Sequence, residues 1–527
     1  MIDTRRAEML SAATAAEETP TAQGHFVSHA RHAASSSAAA SVFARRLTST
    51  VSITGIGSMM TMGVNMLASI GIARNGGPPG YAVFVAANML VFVATTLCTF
   101  GLPIALAKHV AAEEEANRHE ALRRVCSTTL CAVLLLALAA GVSLSLSAIR
   151  IESYLNVDIG RGFAVALPLI LLCAVVSDCA QGIYSGLLRP LPMIAISLLG
   201  PLMMVAYVLL RRMEILWLPI WGAVAASYVC SGLIACWLLW RDKLLAVPAA
   251  LKELQPIVKD LLPAAAFIFF TVFSTWSDRW VVGSQLGASA MGTYAAAIVV
   301  IQAALRMPTQ IAWVLVPAAT RAAIGGAEKS ANLNRAMIGA FGLFAALVTV
   351  MLMLAPAMIV RSIFGGGFVQ AAPALLMMAP SLLASAVTIP FISVLTGSTR
   401  NRFVLYLIVL TLVPRFLLLF IFTRQWSVTG TALATVVSDY LLAACCILLA
   451  SKIGIKFPLQ ALLRPFLIGL AAYAVGLCAL LSGAPPLLAI AFALVVFAPF
   501  VWCMARPALS SMLPVRFQTL ILRGNAS

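Results

Sequence analysis

Arg306 stands alone in a long apolar stretch, with Gln302 and Gln310 four residues to either side, so one cation and two amides share a helical face. Comparable stripes recur along the chain. Asp178 is spaced with Gln181 and Ser185, Asp278 with Thr271 and Thr275, Asp439 with Thr431 and Thr435, and Asn65 with Thr61 and Ser69. Side chains of these types are suited to binding. A guanidinium holds phosphate or carboxylate, amides and hydroxyls bond sugar-like hydroxyls, and a buried carboxylate carries a proton or a small cation. A lone Ser or Thr in such a stretch commonly bonds a carbonyl of its own helix or a neighbouring one. An ionisable residue is different, because a charge at mid-membrane costs about 2.5–3.5 kcal/mol on insertion scales.

Depth along each stretch separates these charges. Arg415 and Asp439 fall at matching depths on neighbouring stretches, where they either pair with each other or face a common path. Arg306 falls near the middle with no acid at hand in its own half, and Asp178 lies at a similar depth in the other half. The expected cationic, substrate-binding set is therefore Arg306, Arg415, Gln302, Gln310 and Asn65. The expected ion-coupling or gating set is Asp178, Asp439 and Asp278.

Other constellations carry less. His25, His29 and His32 lie in an Ala/Ser-rich tail and read as solvated rather than metal-binding. Glu113-Glu114-Glu115 with His119 reads as a solvated loop, and Gly365-Gly366-Gly367 lacks the Lys and Ser or Thr of a phosphate loop. The eleven cysteines form no CxxC pair and read as small core residues. No metal site, catalytic group or cofactor is expected, and the chain does not read as an enzyme.

The elements that must hold these residues are membrane helices. Apolar stretches of about twenty residues run from Val51 to Met504, the length that crosses a hydrocarbon core of about 30 Å as a helix. They number about fourteen, the first at 51–73 and the last at 487–504. Of 527 residues 62% are hydrophobic and only 10% charged, which excludes a soluble core. The net charge of +17 sits in the loops, where it orients the chain rather than binding nucleic acid. Of 35 Lys and Arg, seven (Arg74, Arg150, Arg161, Arg211, Arg212, Arg361, Arg424) fall on one side and three (Arg279, Arg306, Arg415) inside spans, leaving about 25 on the other. Both termini are therefore expected in the cytoplasm.

An internal repeat appears at an offset of roughly 210 residues. Gly80-Tyr81-Ala82 answers Gly292-Thr293-Tyr294-Ala295, Gly186-Leu187-Leu188-Arg189 answers Gly397-Ser398-Thr399-Arg400, and Gly222-Ala223-Val224-Ala225-Ala226 answers Gly430-Thr431-Ala432-Leu433-Ala434. Six spans per copy give both copies the same orientation, an arrangement used by transporters. The expected organisation is a disordered cytoplasmic tail over 1–45, six-helix bundles over 46–245 and 246–455, two added helices over 456–505, and a cytoplasmic tail over 506–527. The fold class is all-α integral membrane.

The run Asp278-Arg279-Trp280-Val281-Val282-Gly283, then Leu286-Gly287 and Gly292-Thr293-Tyr294-Ala295, then Pro308 and Pro317, resembles the polysaccharide repeat-unit flippases (Wzx-like) of the multidrug, oligosaccharidyl-lipid and polysaccharide (MOP) exporter superfamily. Arg74-Asn75-Gly76-Gly77 before Gly80-Tyr81, and Phe100-Gly101-Leu102-Pro103 before Lys108, extend the likeness to the first half. Gly76, Gly77, Pro78 and Pro79 depart from the leucine-glycine pair more usual there. The resemblance implies a MATE-like fold in a bacterial inner membrane. It also implies translocation of polyprenyl-pyrophosphate-linked oligosaccharide to the periplasmic leaflet by alternating access. H+ or Na+ is implied as coupling ion, with membrane lipids and the polysaccharide polymerase machinery as partners. A multidrug or small-molecule antiporter of the same superfamily is the rival reading, and central arginines rather than acids count against it.

Overall fold

A computed structural model describes residues 22–213, 219–246, 255–324, 327–396, 402–452 and 458–512. All the regular structure among them is helical. In chain order the helices are α1 (Ala22–Thr99), α2 (Leu102–Glu115), α3 (His119–Leu155), α4 (Arg161–Gly186), α5 (Pro190–Arg212), α6 (Trp221–Arg241), α7 (Gln255–Leu286) and α8 (Ala288–Ile324). There follow α9 (Ala327–Leu354), α10 (Pro356–Phe364), a 3-10 turn at Gly366–Ala371, α11 (Ala372–Met378), α12 (Ser381–Thr396), α13 (Arg402–Lys452), α14 (Leu459–Leu481) and α15 (Pro486–Met512).

Nine described helices are long and apolar enough to cross a membrane, and two of them are too long for a single crossing. The 47 residues Ile53–Thr99 would extend about 70 Å as one rod, more than twice the core thickness. The chain breaks this rod at Gly77, whose φ of 62° suits a residue without a side chain, and Pro78 and Pro79 then supply no N–H to continue the ladder. The 50 residues Phe403–Lys452 break likewise at Trp426 and Ser427. A further span is bent by 56° between Gly366–Met378 and Ser381–Ser393, at Pro380. Split at these breaks, the candidates and the bent span make twelve crossings, and the expected spans 261–283 and 487–504 fall on α7 and the shorter apolar helix α15.

Several boundaries differ from expectation. The second span stops at Thr99, because Gly101 turns left-handed (φ 83°) and Pro103 follows, so that α2 is a separate helix. Residues 22–45, expected to be a disordered tail, are helical, in keeping with the high helix propensity of their many alanines. Residues 1–21 and 513–527, and the side chains of His25, His29 and His32, lie outside the described residues. Residues 1–54 form one compact unit and residues 55–527 another. The division falls inside the first expected span, so residues 46–54 of the expected 46–245 set lie in the first unit and the rest of both sets in the second.

The repeat has a structural counterpart. Left-handed glycines recur as Gly77 and Gly287, and as Gly160 and Gly365. Tyr81 is buried and its hydroxyl bonds Ser69 at 2.7 Å, while the buried Tyr294 donates to Asp278 at 2.9 Å. In each half a tyrosine at the start of the second span thus ties back to the first. Within the first half α4 packs on α3 and α6, and α5 on α6; within the second, α13 packs on α7 and α12. The added helices α14 and α15 pack on α9 through Ala346, Val350, Ala472 and Phe497.

Candidate functional site

One end of the 55–527 unit carries few cations and the other many. At the charge-poor end the two halves are fastened together. Arg74, just before the break in α1, donates its Nε to the Ile363 carbonyl at 2.8 Å and its Nη2 to the Ser362 carbonyl. Those carbonyls belong to the last turn of α10, where they have no intrahelical partner and a cation meets the negative end of the helix dipole. Asn156 donates to the Ser284 carbonyl at 3.2 Å. Tyr81 packs against Phe364 and Phe368 with ring centres 6.2 and 5.9 Å away. A Cβ on Gly292 would run into the Pro78 carbonyl, so backbone meets backbone there and only glycine fits.

Toward the basic end from this seal, a cavity of about 540 Å³ lies between the halves. Its first wall comes from α1, α4, α5 and α6 and is polar but neutral, with Asn65, Ser69, Asn88, Gln181, Ser197 and Ser227. Tyr228 donates to Asn88 Oδ1 at 3.2 Å, and Ser197 to Gln181 Oε1 at 3.2 Å, which fixes amides on this wall. The second wall comes from α7 and α8 and carries Arg279, Arg306, Gln302, Thr271 and Thr275. Both walls follow from the sequence stripes, since steps of three and four residues keep a polar face toward one side of each helix.

Arg306 is exposed to the cavity and makes no ion pair or hydrogen bond among the described residues. It lies eighteen residues along α8 from Ala288, about 27 Å, hence nearer the basic end than the mid-membrane depth expected. Arg279 lies seven residues from the end of α7, close to the seal. It is only 4% exposed and is held by Asp278 Oδ1 at 3.1 Å, by the Thr275 carbonyl at 2.8 Å, and over the Trp276 ring at 4.7 Å. Asp278 is fully buried and also accepts from Tyr294, whose hydroxyl meets Thr435 at 3.2 Å.

The expected site residues are thus divided. Arg306, Gln302 and Asn65 meet in the cavity. Gln310 shares their helical stripe but lies outside the lining, and so does Arg415, whose Nη1 is bonded to Asp439 Oδ1 at 3.2 Å. Asp178 sits behind the neutral wall, accepting from Thr99 at 3.2 Å, with no cation against it among the described residues. Sequence reasoning counts Arg279 inside a span but not among the expected site residues, and does not single out Trp276. The signal was the adjacent pair Asp278-Arg279 in an apolar helix, where burial demands mutual neutralisation.

Outside the spans, a clasp joins two loops at the basic end. Asp242 is bonded to Arg241 at 2.9 Å, Arg189 at 3.3 Å and the Tyr184 hydroxyl at 3.2 Å. Burial opposes its ionisation, but the hydrogen bond and charge of Arg241, with Tyr184 and Arg189, outweigh this and hold the carboxyl below the usual carboxylate range.

Two equally oriented six-helix halves around a polar cavity sealed at one end define a multi-pass membrane transporter. The fold is similar to that of the lipid II flippase MurJ in an inward closed conformation, with a TM-score of 0.69, 14% identity, and coverage of 86% of this chain and 99% of that one. It is also similar to an inward-facing multidrug resistance MATE family transporter of the MOP superfamily, with a TM-score of 0.61, 17% identity, and coverage of 77% and 96%. A MOP superfamily transporter from Pyrococcus furiosus is similar at a TM-score of 0.52 and 19% identity, over 77% and 95%. No curated protein sequence gives a significant match. The sequence profile of the polysaccharide biosynthesis protein family matches residues 47–323, more than half of the chain, and the protein belongs to that family.

Proposed function

We propose that the protein translocates polyprenyl-pyrophosphate-linked oligosaccharide from the cytoplasmic to the periplasmic leaflet of a bacterial inner membrane, by alternating access. The observation that carries this reading is an unpaired Arg306 facing a polar wall across a cavity sealed at the charge-poor end. Sugars and diphosphate cannot cross hydrocarbon, since unpaired charge and unsatisfied hydroxyls are expensive there, whereas a polyprenyl tail can remain in lipid. A cavity of about 540 Å³ falls within the roughly 300–1,000 Å³ range of small-molecule sites. The positive-inside bias puts the basic loops and both termini in the cytoplasm, so the sealed end faces the periplasm. The outward step gains about 2.3 kcal/mol per negative charge per 100 mV, and an inward H+ or Na+ drives the return. Asp178 suits that coupling role because Asp278 and Asp439 each neutralise an arginine.

The test is leaflet distribution of the lipid-linked oligosaccharide in proteoliposomes with and without an ion gradient. Loss of the Arg306 contact forfeits about 1.5–3 kcal/mol of charge-assisted bonding, so R306A binds about 10- to 150-fold more weakly. D178N keeps binding and loses the ion dependence. Unaltered transport by R306A refutes the site, and unaltered ion dependence in D178N refutes the coupling role.

A further inference from the structure

The cavity is chemically two-sided, and the sides belong to different halves. Both cations that line it among the described residues, Arg279 and Arg306, stand on the α7–α8 wall. The opposite wall offers hydroxyls and amides set among apolar side chains such as Phe84, Phe92 and Met204, and no charge among the described residues. We infer that the glycan this protein carries is uncharged, its sugars neutral or N-acetylated, and that the diphosphate is the cargo's sole ionised part; this rests on the flippase reading above.

Charge accounting supports the inference. A diphosphate brings at least two negative charges. Against them the cavity sets one free guanidinium, Arg306, and a second, Arg279, already shared with Asp278. Among the described residues no cation is left over for a uronic acid. A sugar carboxylate laid on the neutral wall would be desolvated without a partner, and Asp178 behind that wall, when ionised, would repel it. An amino sugar fares no better, since no acid lines the cavity among the described residues. Hydroxyls and acetamides, by contrast, match what Asn65, Asn88, Gln181 and Ser197 present, each group donating or accepting without a net charge.

The geometry also orients the cargo. The diphosphate lies along α7 and α8, between Arg306 toward the basic end and Arg279 beneath the seal, and the sugars lie against α1, α4, α5 and α6. A change of wall chemistry should therefore change glycan preference without changing diphosphate recognition. Asn65 is the position for that test because it is exposed to the cavity and bears no described contact that folding needs.

The experiment uses the full chain in nanodiscs and three probes: polyprenyl pyrophosphate alone, the same carrier with a neutral hexose trisaccharide, and its counterpart with one hexose replaced by a uronic acid. The expected result is binding of the neutral glycolipid at least tenfold tighter than the uronic one. N65R brings the two within about twofold of each other, each read as a ratio to bare carrier bound by the same variant, so that any general gain for the diphosphate cancels. Equal or tighter binding of the uronic glycolipid by the parent overturns the inference and leaves the flippase reading standing. Failure of all three probes to bind overturns both. A folded N65R that leaves the preference unchanged overturns the assignment of the neutral wall to the sugars.

Discussion

Replacing Arg74 by alanine tests whether the charge-poor end is a gate and not merely a rigid cap. In the closed arrangement Arg74 makes two hydrogen bonds, to the Ile363 carbonyl at 2.8 Å and to the Ser362 carbonyl, and both join one half to the other. The guanidinium is exposed, so each bond is worth the ordinary net value of about 0.5–1.5 kcal/mol, and the pair about 1–3 kcal/mol. All of it is specific to the closed state, because the partners are carbonyls at a helix end that separate from α1 when the halves part. R74A should therefore raise the ratio of open to closed by about 5- to 150-fold. Asn156, Tyr81 and Phe368 still hold the ends together, so the closed state persists as a population. The assay is the rate at which a bulky membrane-impermeant maleimide, added from the charge-poor side, labels a cysteine placed at position 65 in a background lacking the native cysteines. Faster labelling by that factor, with R74K intermediate because a single ammonium reaches fewer carbonyls, is the expected outcome. Equal labelling of R74A and the parent refutes the reasoning.

Two further predictions concern the charges. D278N strands Arg279 in a site where it is 4% exposed, and a half-broken buried pair costs about 3–5 kcal/mol, while D278N/R279Q should recover most of that; SDS-induced unfolding in mixed micelles measures both, and a single variant within about 1 kcal/mol of the parent would overturn the account. At the basic end the clasp should weaken in acid. The Asp242 carboxyl is depressed in the folded protein, so its contribution is fully present above the unfolded value of about 3.9 and lost as pH falls through the folded value. Thermal unfolding of D242N in detergent should accordingly fall less steeply than the parent's below about pH 4, and parallel curves contradict the assignment.

Much of this arrangement was legible in the residues because lipid leaves few choices. The number of crossings followed from stretch length, and the breaks at Gly77-Pro78-Pro79 and before Gly430 follow from a chain that must turn where two crossings meet. Arg306 was legible for a different reason: a cation with no acid within reach of its own helix needs water, a ligand or a partner elsewhere. What escaped was relational. Periodicity put Gln310 on the same stripe as Arg306, but periodicity does not say how far along a helix the cavity extends. Depth matching left Arg415 and Asp439 either paired or facing a path, and their bond at 3.2 Å decides that they pair. The separate helix α2 was hidden because its apolar start continues the preceding span without a change in composition, and the left-handed pair Phe100-Gly101 divides them.

The three arginines within the spans now form an ordered set. Arg279 and Arg415 are each neutralised by an aspartate of their own half, and those pairs fix helices without adding net charge. Arg306 has no such partner among the described residues, and an arginine left bare in hydrocarbon costs about 2.5–3.5 kcal/mol on insertion scales. Its free charge is tolerated because it faces a cavity lined by amides and hydroxyls and not lipid, which makes hydration of that cavity a condition of the fold as well as of transport. The same condition explains why the seal lies at the charge-poor end. Closing the cavity on Arg306's side would bury the cation unless an anion entered with it, so occupancy by phosphate and closure at the basic end are coupled through one side chain.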